Sequence, residues 1–190
     1  MYNKYANNTL GVISDCRFPR NGVKDSEAGI ELLKEIRNRN EYVPMVLQSS
    51  EADNREKAEA NGFNFVDKNS KKMNIDLRNI LEEHFGFGDF IFRDPTTHEE
   101  ILRVSNLKEL QDNIFKIPRD SMLYHISRNH MSRWLCARAI FPVSEFLKNI
   151  TWHALQDVDE HRKIIFEAIV KYRRMNYNFC ICLRYKFVPF

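Results

Sequence analysis

Asp15, Ser49 and Lys68 are the residues of this 190-residue chain whose types and positions can do chemistry together. Each stands at the carboxyl end of a short apolar run: Leu10–Ser14 before Asp15, Pro44–Gln48 before Ser49, and Phe63–Val66 ahead of Lys68. If the runs are neighbouring parallel strands, the three side chains gather at one end of the sheet, where open α/β sheets bind ligands. A carboxylate there can attack a phosphoryl group, a hydroxyl can bond the phosphoryl oxygens, and an ammonium can offset their charge. Asn69-Ser70-Lys71-Lys72, just beyond, reads either as a phosphate grip or as a solvated loop.

The elements that must position this trio alternate between short apolar runs and helical stripes from Leu10 to Phe85, the pattern of parallel βαβ units. Ser26 is expected to cap a helix carrying Ile30, Leu32, Leu33 and Ile36. A polar helix from Asp53 to Asn61 ends at Gly62, and a third helix carries Ile75, Leu77, Ile80 and Leu81. The pattern then changes. Phe87–Phe92 and Glu100–Val104 flank the turn residues Asp94-Pro95-Thr96-Thr97 and read as a hairpin. Helices follow near Asn106–Phe115, Ser121–Ile140 and Asp157–Met175, with Pro118 and Pro142 as breaks. The final run, Phe179–Phe190, is apolar and aromatic and reads as a docking strand or as a sequence foreign to the preceding chain.

Composition narrows the function. Hydrophobic residues make up 43% of the chain, enough for one medium domain or two small ones. A formal charge of +3 does not by itself support a nucleic-acid partner; residues 1–86 hold 13 basic and 14 acidic side chains, and 87–190 hold 16 and 12. No apolar stretch reaches the ~20 residues of a membrane span, and the first residues lack a signal-peptide core, so a cytoplasmic protein with no membrane partner is expected. Cys16, Cys136, Cys180 and Cys182 match neither a zinc-knuckle spacing nor a disulfide framework and read as reduced thiols.

In the second half, His125 and His130 lie on one expected helix, where five-residue spacing turns them ~140° apart, so a shared metal is not expected. Leu123, Ile126, Met131, Trp134 and Leu135, with Phe141 and Phe146, read as core, and Ile164, Ile165, Ala168, Ile169 and Tyr172 as a packing stripe. Lys171, Arg173 and Arg174 can complement the dipole at that helix's end. A basic helical nucleic-acid module using Arg128, Arg133, Arg138, Arg173 and Arg174 is a second alternative and predicts salt-sensitive binding.

Ile13-Ser14-Asp15-Cys16-Arg17-Phe18-Pro19, Gly29-Ile30-Glu31-Leu32-Leu33, Pro44–Ser50 and Gly62–Lys68 resemble, in order, the later strands of a response-regulator receiver domain. The resemblance implies a partial flavodoxin-like parallel sheet lacking its first strands over 1–86. It also implies Asp15 as phosphoacceptor and magnesium ligand, Ser49 as the hydroxyl switch and Lys68 as the charged partner of the phosphoryl group. This chain departs from the family in several places. Only nine residues precede Leu10, too few for the first strands and the acidic pair that completes the magnesium site. Residues 20–25 lengthen the loop after Asp15, and Asn69 stands where the family has proline. With Asp15 alone, the magnesium site is incomplete and phosphorylation is expected to be weak or absent. The uncovered side of the first strand must then be met by a protein partner or by parent-chain domains.

A second resemblance spans roughly Asn7–Asn178. Val66–Lys72, Phe85–Phe90, Leu123–His130 and Tyr172–Met175 are similar to the region upstream of the catalytic core in bacterial phosphoenolpyruvate synthase or pyruvate phosphate dikinase-like proteins. It implies that 87–190 is a hairpin-plus-helices connector and that the chain is a truncated piece without the ATP-grasp and phosphohistidine modules. The expected function is therefore a non-catalytic regulatory or interaction segment, with a working phosphorelay receiver as the first alternative.

Overall fold

The computed structural model describes residues 2–6, 9–20, 22–152 and 157–186, with the side chains of residues 3, 5 and 177–186 set aside. The chain divides into two units, Met1–Gly88 and Asp89–Phe190. It is a mixed α/β protein with one small parallel sheet.

The first unit runs α1 (Tyr2–Tyr5), β1 (Val12–Asp15), β2 (Phe18–Arg20), β3 (Val23–Asp25), α2 (Ala28–Arg39), β4 (Met45–Ser49), α3 (Asn54–Ala60), β5 (Asn64–Asp67) and α4 (Met73–His84). β1, β4 and β5 form the parallel sheet in that order, Ile13 beside Val46 and Leu47 beside Phe65. Side chains on a strand alternate between faces, and both faces of β4 are covered. Met45 and Leu47 pack with Ile30, Leu33 and Ile36 of α2 and Ala58 of α3, whereas Val46 packs with Val66, Phe85 and the Leu77, Ile80 and Leu81 face of α4. That second cover stops one strand short. Val46 is fully buried, but its β1 neighbour Ile13 is 44% exposed.

Three expectations are corrected here. The strands begin and end later than the apolar runs suggest, so Asp15 and Ser49 are the last residues of β1 and β4. The extra residues after Asp15 are not a plain loop. β2 and β3 form an antiparallel hairpin, Phe18 opposite Asp25, with Gly22 at φ +82° in the turn, a region glycine enters at little cost. Ser26 does not cap α2. Asp25 Oδ1 instead accepts the Glu27 N–H at 2.9 Å, and the Ser26 carbonyl accepts the Cys16 thiol at 3.2 Å.

The second unit runs β6 (Phe90–Arg93), β7 (Glu100–Val104), α5 (Leu107–Asn113), a 3-10 turn (Ile114–Lys116), α6 (Arg119–Ser127), α7 (His130–Ala137), α8 (Phe141–Lys148) and α9 (Val158–Lys186). Phe90, Phe92 and Val104 from the hairpin join Leu110, Met122, Ile126, Trp134, Leu135, Leu147, Ile165 and Ile169 in one continuous core. Asn106 starts α5 by accepting the Glu109 N–H at 3.0 Å, while the Glu109 carboxylate takes the Ser105 N–H at 2.8 Å.

The expected single helix over 121–140 is two helices. Asn129, at φ 55°, adopts the left-handed conformation that Asn tolerates better than most residues, and this turns the chain between α6 and α7. Ala139, at φ 57°, makes a similar turn before α8. Pro142 does not simply break the chain, because it sits in the first turn of α8, where no backbone N–H partner is needed. Phe141 and Phe146, expected in the core, are 56% and 50% exposed. The backbone of α9 stays helical to Lys186, which overturns a strand over the first part of the terminal run; residues 187–190 lie outside the described residues. Among the described residues, no helix is long and apolar enough to cross a membrane.

Candidate functional site

The carboxyl end of the sheet is fixed by backbone bonds that continue the strands. Cys16 N–H donates to the Gln48 carbonyl and Lys68 N–H to the Ser49 carbonyl, both at 2.9 Å, so the residues that end β1, β4 and β5 are held in register. The start of α2 presses against the same end: Gly29 N–H donates to the Cys16 carbonyl at 2.9 Å. A Cβ at Gly29 would lie 1.9 Å from the Asp15 carbonyl oxygen, so only glycine lets the helix come this close.

Asp15 and Lys68 meet. The Lys68 ammonium donates to Asp15 Oδ1 across the end of β4, with the two side chains 35% and 51% exposed for Lys68 and Asp15 respectively. Ser49 stands at the same sheet end, but its hydroxyl is occupied locally. It is 5% exposed and accepts the Glu51 N–H at 3.1 Å and the Asn54 amide at 2.9 Å. Among the described residues its hydrogen bonds run to its own loop and not to Asp15 or Lys68. A second ion pair, Arg17 with Glu51, joins the segments that follow β1 and β4.

Asn69 and its neighbours hold the loop after β5. Asn69 donates its amide to the Ser50 carbonyl and its N–H to Asp67 Oδ1, both at 2.8 Å, and Ser70 Oγ accepts the Lys72 N–H at 3.1 Å. These polar side chains are thus used to shape the turn.

Among the described residues the donor set around Asp15 is short of oxygen ligands for magnesium. Magnesium demands near-octahedral oxygen ligation, whereas the Asp15 carboxylate is engaged by an ammonium and the nearby Glu51 carboxylate by a guanidinium. Among the described residues no group of three or more His, Cys, Asp or Glu side chains is placed to hold a metal ion. Cys16 is buried, its thiol pKa pushed up mainly by burial, and Cys16 and Cys136 are not in disulfides. The side chains of Cys180 and Cys182 lie outside the described residues.

Four of the five arginines of the alternative nucleic-acid reading, Arg128, Arg133, Arg138 and Arg173, are engaged or buried within the second unit. Arg128 lies over the Tyr124 ring and Arg138 over the Trp134 ring, each 4.1 Å from the centroid, and Arg173 donates to Gln111. Burial lowers the pKa of Arg133 to about 10. The two histidines, expected to diverge, come together: His125 Nδ1 and His130 Nδ1 are 3.0 Å apart. The turn at Asn129 makes this contact, and only the left-handed tendency of Asn hinted at it in the sequence. The chain matches no family model, no curated protein and no solved structure.

Proposed function

We propose that this chain is a non-catalytic regulatory or interaction segment of a phosphoenolpyruvate-synthase-like protein, built on a degenerate receiver-like sheet. The observation that supports this reading best is the state of Asp15. Its carboxylate is paired with Lys68, its neighbouring hydroxyl Ser49 is committed to Asn54 and Glu51, and among the described residues no group of three or more His, Cys, Asp or Glu side chains is placed to hold a metal ion. Such a pair holds the sheet end in one arrangement without phosphoryl transfer.

The open flank of β1 supports the interaction half of the proposal. β1 is an outer strand of its sheet, and parallel pairing alternates, so the N–H and C=O of Ile13 point away from β4. An extended protein segment laid beside β1 would satisfy these groups and cover Ile13.

The phosphorelay alternative draws on the same geometry, because Asp15 remains half exposed beside an ammonium. Incubation with acetyl phosphate and Mg²⁺, read by intact mass, separates the two. No phosphoryl addition is expected. An addition that disappears in Asp15→Ala would replace the proposal with a working receiver.

A further inference from the structure

The histidine pair has a proton arrangement that follows from its partners. Arg93 lies at an irregularity in the β6–β7 pairing, and its backbone N–H donates to His125 Nε2 at 3.0 Å. That nitrogen therefore offers a lone pair, and in a neutral ring the proton sits on Nδ1. His125 Nδ1–H then donates to His130 Nδ1 at 3.0 Å, which leaves the neutral His130 ring with its proton on Nε2. Both lone pairs of the pair are already used. A proton added to His125 Nε2 faces the Arg93 N–H, and one added to His130 Nδ1 faces the His125 N–H.

The surroundings offer an added charge little support. His125 is 4% exposed, its ring set against Phe90 and Phe92 of β6 and Tyr124 of α6. A 10 Å³ void beside it is lined by Leu147 of α8, by Ile165 of α9, by Trp152, and by Met131 and Ser132 of α7. The charges acting on it are the guanidiniums of Arg93 and Arg128, both positive. Burial first, then these two cations, lower its pKa to about 4.

We propose that the His125–His130 pair is an acid-operated latch: one added proton releases the β6 backbone from α6 and opens the corner between α6 and α7. The sign follows from linkage. An unfolded imidazole titrates near ~6.5 and the buried one near 4, so the open form binds more protons between these values. The latch holds above that window and loosens as pH falls through it.

Nitrogen-detected histidine spectra of the full chain, collected with the Arg93 amide protection from pH 7.5 down to 4.5, test this. At neutral pH His125 is expected as the Nδ1–H tautomer. Below the window's upper end, Arg93 protection is expected to fall about tenfold per pH unit, the slope of one proton, together with protonation of the pair. His130→Asn, whose carbonyl oxygen can still accept the His125 N–H but takes no proton, should keep the same one-proton slope, because the window belongs to His125. If that variant does not fold, the wild-type titration decides alone. An Nε2–H tautomer at His125, a doubly protonated ring with Arg93 still protected, or opening that tracks His161 on α9 instead would overturn the latch.

Discussion

The two units bury their apolar residues in different ways. In the helical unit, hairpin and helices close around one cluster, with Trp134, Phe92, Leu135 and Ile165 almost wholly removed from water. In the sheet unit the apolar residues divide into two clusters on the two faces of β4 and β5, and the smaller cluster ends before it reaches Ile13. A closed core is satisfied by its own chain. An α/β sheet with one face partly bare leaves an outer strand that offers both hydrogen-bonding groups and an apolar side chain, which is what the proposed interaction would use.

The largest effect that sharpens this contrast is expected in the closed core. Trp134→Ala should destabilise the helical unit by ~3–5 kcal/mol, since the cavity adds to the lost transfer energy; urea unfolding followed through amide signals of residues 90–169 would measure it. Next comes the close approach of α2 to the end of β1. Gly29→Ala should lower the stability of the sheet unit by about 3 kcal/mol, because a Cβ placed 1.9 Å from a backbone oxygen forces α2 away from the end of β1. Thermal unfolding read on the sheet amides is the check, and an unchanged midpoint would break the close-packed picture of that junction. The smallest effect on stability belongs to the open face. Ile13→Lys should change unfolding free energy by no more than ~0.5 kcal/mol while weakening any binding of a segment to β1. A loss of several kcal/mol there would mean that Ile13 is already covered, and the contrast between the units would fail.

Much of the sheet was legible because apolar runs of four or five residues ending in polar ones read as strands, and because Ile30, Leu33 and Ile36 mark the buried side of α2. The strand-end positions of Asp15, Ser49 and Lys68 followed from the same runs. What the side chains do there did not. The commitment of the Ser49 hydroxyl to Asn54 depends on the path of a loop, which no periodicity encodes. The β2–β3 hairpin was missed because three-residue strands with mostly exposed side chains give no alternation to read. The turn at Asn129 was missed because neither glycine nor proline marks it, and with it went the contact between His125 and His130. The exposed positions of Phe141 and Phe146 show the converse error: aromatic type alone suggested burial, and the start of a new helix at Phe141 set the faces differently.

Cys16 carries a practical consequence of the junction between β1 and α2. Its sulfur is enclosed, hydrogen-bonded to the Ser26 carbonyl, and held in the protonated form. Alkylating reagents attack thiolates, so this sulfur stays unreactive for as long as the strand end and helix start remain closed. The rate at which it becomes labelled is a built-in clock for how often that end of the sheet breathes.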